Sequence, residues 1–106
     1  MEKAIAKLKQ FRDERDWNKF HNAKDLALAL SIESSELLEV FLWKSAEEAD
    51  IEKIKEELAD VFSYALLLAE CYGLDPQEIV LDKIKLNEKK YPISKAKGTA
   101  KKYTEL

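Results

Sequence analysis

Apolar positions recur at helical spacing along almost the whole chain. Ile5, Leu8 and Phe11 lie three residues apart, which marks one face of a first helix over residues 2–15. A polar and aromatic connector, residues 16–22, carries Trp17, Phe20 and His21. Leu26, Ala29 and Leu30, then Leu37, Val40 and Phe41, predict a second helix over 23–43. Ser45 and Glu48 have capping-box spacing and Asp50 is a second possible cap, so a third helix starts between them. It continues to Tyr72 and stops at Gly73, a residue suited to a left-handed terminator. Asp75, Pro76 and Glu78 supply an N-cap, a proline at the first helical position and an acid at the third. The fourth helix that they open runs to about Lys90, and Pro92 ends it.

The third helix has the most continuous stripe: Ile51, Ile54, Leu58, Val61, Ala65, Leu68 and Tyr72 alternate by three and four. Over 61–69 it is apolar nearly all round, with only Ser63 and Tyr64 carrying polar atoms. Such a helix must be covered on several sides, which the rest of one short chain can hardly do. The expected architecture is therefore an all-α, four-helix bundle assembled as a homo-oligomer. A central helix buried within a monomer is the alternative. Residues 1–92 read as one domain, and 93–106 as an extended, Lys-rich C-terminal tail.

Composition narrows the class. Two Gly and two Pro among 106 residues leave few tight turns, against a β-sandwich, a small barrel or a Gly-rich phosphate loop. A hydrophobic share of 46% argues for a folded domain although 37% of residues are charged. Cys71 is the only cysteine, which excludes an intramolecular disulfide and any multi-cysteine metal site. The longest apolar run, 64–69, falls far short of the roughly 20 residues that a membrane helix needs. The N-terminus is charged from Glu2 onward, unlike a signal peptide, so a cytoplasmic protein without a membrane partner is expected.

Charge is unevenly spread. Residues 1–82 carry a balance of −9, whereas 83–106 carry +6 from eight Lys against Glu88 and Glu105. An acidic body with a basic end, and with Arg12 and Arg15 set among acids, disfavours nucleic-acid binding.

Four carboxylates stand out by position. Glu33 and Glu36 occupy the places that should continue the apolar stripe between Leu30 and Leu37. Glu57 and Asp60 repeat the same spacing beside Ile54, Leu58 and Val61. Helix acids are ordinarily solvated, with Lys partners a turn away. Glu33, Glu36 and Asp60 have no Lys or Arg three or four residues away on either side, and Glu57 has only Lys53. Two like-charged pairs against a core are costly unless a cation neutralises them. An oxygen-only cluster suits a hard ion, Mg²⁺ or Mn²⁺, bound through a few carboxylates plus substrate phosphates. A di-iron carboxylate bundle would need Glu-x-x-His on two helices, and the only histidine, His21, lies in no such motif. Glu39 continues the row, either as a further site acid or as a solvated one.

Glu33-Ser34-Ser35-Glu36 followed by Glu57-Leu58-Ala59-Asp60 resembles the E-x-x-E … E-x-x-D signature of the MazG-like all-α nucleotide pyrophosphohydrolases. Arg15-Asp16-Trp17 with Phe20-His21, then Phe41 with Trp43, and Lys83, Asn87, Lys90, Tyr91 and Pro92 are similar to the dCTP pyrophosphatase-like branch. Ser35 stands where many relatives have Gly. The resemblance implies hydrolysis of a (deoxy)nucleoside triphosphate, dCTP or a modified dNTP, to the monophosphate and pyrophosphate. It implies metal ligation by Glu33, Glu36, Glu57 and Asp60, with Glu36 and Glu33 as the catalytic acids and the roles of ligand and general base left open. Lys83, Asn87 and Tyr91 recur every four residues and could form one polar strip, ordinarily a solvated basic helix end; the resemblance implies that it meets triphosphate and sugar, with Lys90 adding charge. Trp17, His21, Trp43 and Tyr64 are the candidates for holding the base. The rival from another class is a non-catalytic helical oligomerisation module, in which the same carboxylates are surface acids.

Overall fold

The computed structural model describes residues 1–106 and contains helices, turns and no strand. The chain divides into two compact units, Met1–Gly73 and Leu74–Leu106.

In the first unit, α1 covers Glu2–Glu14. Asp16 adopts a left-handed φ of 58° and turns the chain into a short 3₁₀ helix, Trp17–Phe20. Asn22 then caps α2, Ala23–Glu39, its side-chain oxygen accepting the Asp25 N–H at 2.9 Å. Helix α3 covers Ile51–Cys71 and is capped by Asp50, which accepts the Glu52 N–H at 2.9 Å. Gly73, at φ 64°, provides the expected left-handed stop. Helices α2 and α3 form the main packed pair and run antiparallel. His21, just before α2, meets Tyr64 and Cys71, while Glu36, far along α2, meets Glu57. Helix α1 lies along α3, tied to it by the Lys9 Nζ–Glu70 Oε1 ion pair at 3.0 Å.

Two expected boundaries move. The second helix stops at Glu39, four residues before the predicted end, because Val40, Phe41 and Leu42 bond to carbonyls three residues back and tighten the last turn. Trp43 then takes a φ of 59° and finishes the reversal without glycine or proline, so no residue type announced it. Ser45 and Glu48 form the reciprocal bonds of a capping box, but these close an isolated turn. The helix itself waits for Asp50.

The fully buried core is small: Leu26 on α2 with Leu66, Leu67 and Ala69 on α3. The stripe along α3 is buried only in part. Ile51, Leu58 and Tyr72 remain exposed, as do Leu28, Ile32 and Leu38 on α2 and Phe62 on α3.

In the second unit, Asp75 caps α4, Pro76–Lys90, by accepting the Glu78 N–H at 3.1 Å, with Pro76 in the first turn. The segment expected to be extended contains a single helical turn, α5, Ile93–Ala96, opened by Pro92, and a 3₁₀ turn, Tyr103–Glu105. Tyr91 and Tyr103 pack edge to face, and Lys90 Nζ lies 4.9 Å from the centre of the Tyr103 ring.

Candidate metal centre and aromatic pocket

Antiparallel packing of α2 on α3 brings the two acidic motifs together. One carboxylate oxygen from each of Glu33, Glu36 and Glu57 lies within 4.8 Å of the others. All three residues are half-buried. Glu33 Oε2 and Glu57 Oε2 are shut off from water and have no hydrogen-bond partner. The intervening serines do not help. Ser34 and Ser35 donate back along their own helix to the Leu30 and Ser31 carbonyls.

Electrostatics follow. Burial first, then the neighbouring Glu36, Asp60 and Glu57 carboxylates, raise the Glu33 pKa from 4.5 to about 7. Glu57 is raised for the same reasons, burial before Glu36 and Asp60. Buried acceptors without donors are rare in folded proteins, and a hard cation is the group that fits an all-oxygen set of this kind. The cluster could hold such an ion. Asp60, one helical turn beyond Glu57, is exposed and outside the three-oxygen set, although its charge reaches Glu33 and Glu57. Glu39 is exposed at the last turn of α2.

Asp60 instead lines a pocket of about 270 Å³ with Trp17, His21, Tyr64, Arg12 and Phe11. Three of the four predicted base contacts thus meet in one place, where Tyr64 lies one helical turn beyond Asp60 on α3. Trp17 packs edge-on to Phe11 at 5.7 Å, and the Arg15 guanidinium lies 3.6 Å over the other ring's centre. His21 and Tyr64 are 6.3 Å apart in a T-shaped pair. Burial, then the Arg12 charge, lowers the His21 pKa, and the ring's Nδ1 is buried without a partner. Burial, then Glu33 and Asp60, raises Tyr64, so its phenol keeps its proton.

Trp43 stands apart on its turn, 93% exposed. Lys83, Asn87, Lys90 and Tyr91 belong to the second unit, Asn87 and Tyr91 half-buried and both lysines exposed. Arg12 is the pocket residue that the sequence reading missed. It continues the α1 stripe of Ile5 and Leu8 at a four-residue step, the same anomaly that singled out Glu33 and Glu36.

With helices and carboxylate corner in hand, the comparison with known families is decisive: the chain belongs to the MazG-like family, whose model matches residues 28–106. The resemblance carried by the paired acidic motifs is borne out. Among curated proteins it is 38% identical, over 105 aligned residues, to dCTP pyrophosphatase 1 of Bos taurus and of Homo sapiens. These alignments cover 92% of this chain and 62% of the relatives, so the chain spans less than two thirds of their length. The crystal structure of a pyrophosphatase from Archaeoglobus fulgidus DSM 4304 is similar at a TM-score of 0.81 and 41% identity. That similarity covers 87% of this chain and 92% of the other. No helix is long and apolar enough to cross a membrane.

Proposed function

We propose that this protein is a Mg²⁺-dependent nucleoside triphosphate pyrophosphohydrolase. Its substrate is a deoxynucleoside triphosphate, dCTP or a modified dNTP, cleaved to the monophosphate and pyrophosphate. The observation that carries the reading is the set of three converging carboxylates with two buried, unpartnered oxygens, in a member of the MazG-like family. Similarity to dCTP pyrophosphatase 1 supports the base.

Glu33, Glu36 and Glu57 would hold the ion, with Asp60 at the edge facing the aromatic pocket. When bound, Mg²⁺ or Mn²⁺ supplies charge compensation for the phosphate oxygens and the leaving pyrophosphate. Glu36, with Glu33, orients the attacking water and accepts its proton. Trp17, His21 and Tyr64 hold the base by stacking and edge contacts. Lys83, Asn87, Lys90 and Tyr91 meet the triphosphate and sugar, and the positive balance of 83–106 serves the same end.

The small core supports a homo-oligomer. Leu28, Ile32, Leu38, Leu42 and Trp43 are all more than half exposed, which a second copy of the chain would cover. Purified protein should release pyrophosphate from deoxynucleoside triphosphates only with Mg²⁺ or Mn²⁺ present. Silence across a panel of ordinary and modified nucleotides, with the metal supplied, would overturn the proposal.

A further inference from the structure

One charged side chain on the wall of the aromatic pocket has no part in the hydrolysis described above. Arg12 lies in the last turn of α1, and its side chain is only 16% exposed. Its single side-chain hydrogen bond runs from Nε–H to Asp13 Oδ1 at 2.9 Å. The donors on both terminal nitrogens have no protein acceptor. The pocket that Arg12 lines is also walled by Trp17, His21 and Tyr64. A donor fork without a protein acceptor in an aromatic-walled pocket asks for a flat ligand with acceptor atoms along one edge.

We propose that Arg12 is a specificity-determining residue of this site, its terminal N–H groups donating to the two adjacent acceptors, O2 and N3, of a bound cytosine. The inference rests on the nucleotide-hydrolysing reading. A guanidinium can only donate, so it selects by what it refuses. Along one edge, cytosine offers the O2 acceptor, the N3 acceptor and then the amino donor. Uracil and thymine carry N3–H in the middle position, which sets donor against donor. Arg12 thereby matches the two adjacent acceptors of cytosine and meets only one acceptor, O2, on uracil or thymine.

The test compares kcat/KM for dCTP and dUTP, by pyrophosphate release, in the wild type and in Arg12→Met and Arg12→Lys. A bidentate contact of this kind discriminates by roughly tenfold or more, so the dCTP preference should fall by about that factor in both variants. Arg12→Lys keeps the charge and the aliphatic stem, so it decides the matter if Arg12→Met folds poorly. Equal losses for both nucleotides would mean a phosphate contact or a structural role and overturn the proposal, as would an unchanged ratio. A second readout, independent of turnover, is tryptophan fluorescence on titration with dCMP and dUMP. Selective dCMP binding lost in Arg12→Lys, in a protein that hydrolyses nothing, would uphold this inference and remove the hydrolytic reading. Hydrolysis with a base preference indifferent to Arg12 would do the reverse, and neither hydrolysis nor dCMP binding would remove both.

Discussion

Glu33 and Glu48 belong to the same compact unit, and their surroundings drive them in opposite directions. Glu48 folds back on Ser45: its Oε1 accepts the Ser45 N–H at 3.2 Å, and hydrogen bonding to Ser45 holds its pKa below the ordinary value. Glu33 faces Glu36 and Glu57, has an oxygen with no donor at all, and is pushed up to about 7. Both belong to a pair spaced i, i+3. What separates them is whether the partner donates or repels. A carboxylate already supplied with N–H groups is finished as a structural element, whereas one supplied only with other carboxylates has a valence left for something from outside.

The largest effect that can break this contrast is on turnover. Glu36→Gln and Glu33→Gln should each lower pyrophosphate release by about 100-fold or more, and chelation of the metal should do the same to the wild type. Glu48→Gln should leave the rate within a factor of about two. Equal losses at Glu48 and Glu36 in a steady-state assay would erase the distinction. Trp17→Ala comes next. Loss of one stacking face should raise KM roughly tenfold with a smaller change in kcat, measured over a dCTP titration.

Stability gives a finer test. In the metal-free protein, Glu33 keeps its proton up to about pH 7 when folded but loses it near pH 4.5 when unfolded. The folded state therefore binds the extra proton, and stability present at low pH is lost as pH rises through that window. The melting temperature should drop by several degrees on crossing it, and Mg²⁺ or Mn²⁺ should restore most of the loss above neutrality. Glu33→Gln should flatten the slope; an unchanged slope in thermal melts would assign it elsewhere. Smallest of all, Ser45→Ala should lower the melting temperature slightly, with no dependence on divalent metal.

Much of this was legible before any coordinates. Helical periodicity located the first three long helices and cap chemistry the fourth, and Asp50, Asp75 and Gly73 act as their chemistry suggests. The end of α2 was not legible, because backbone tightening at Val40 and the left-handed turn at Trp43 use residues that give no such signal. Glu33 and Glu36 were found by asking which acids lacked cations on the apolar face, a question about energy that periodicity makes local, and Glu57, with Lys53 alone, by repeating their spacing with Asp60. Asp60 passed the same test yet lies outside the three-oxygen set, since helical spacing says which face a residue is on but not how far its oxygens reach across to α2. Arg12 was overlooked because the test was applied only to acids.

The turn at Trp43 has a consequence for how this sequence can change. A side chain with a β-carbon held at φ 59° costs about 1 kcal/mol, and an indole 93% exposed offsets none of it within the chain. Glycine at this position would relieve the strain, so Trp43→Gly should make the isolated chain more robust. The corner between α2 and α3 is thus a place where robustness and usefulness would pull apart if Trp43 holds the base as expected from the sequence: glycine would steady the chain and remove the ring in one step.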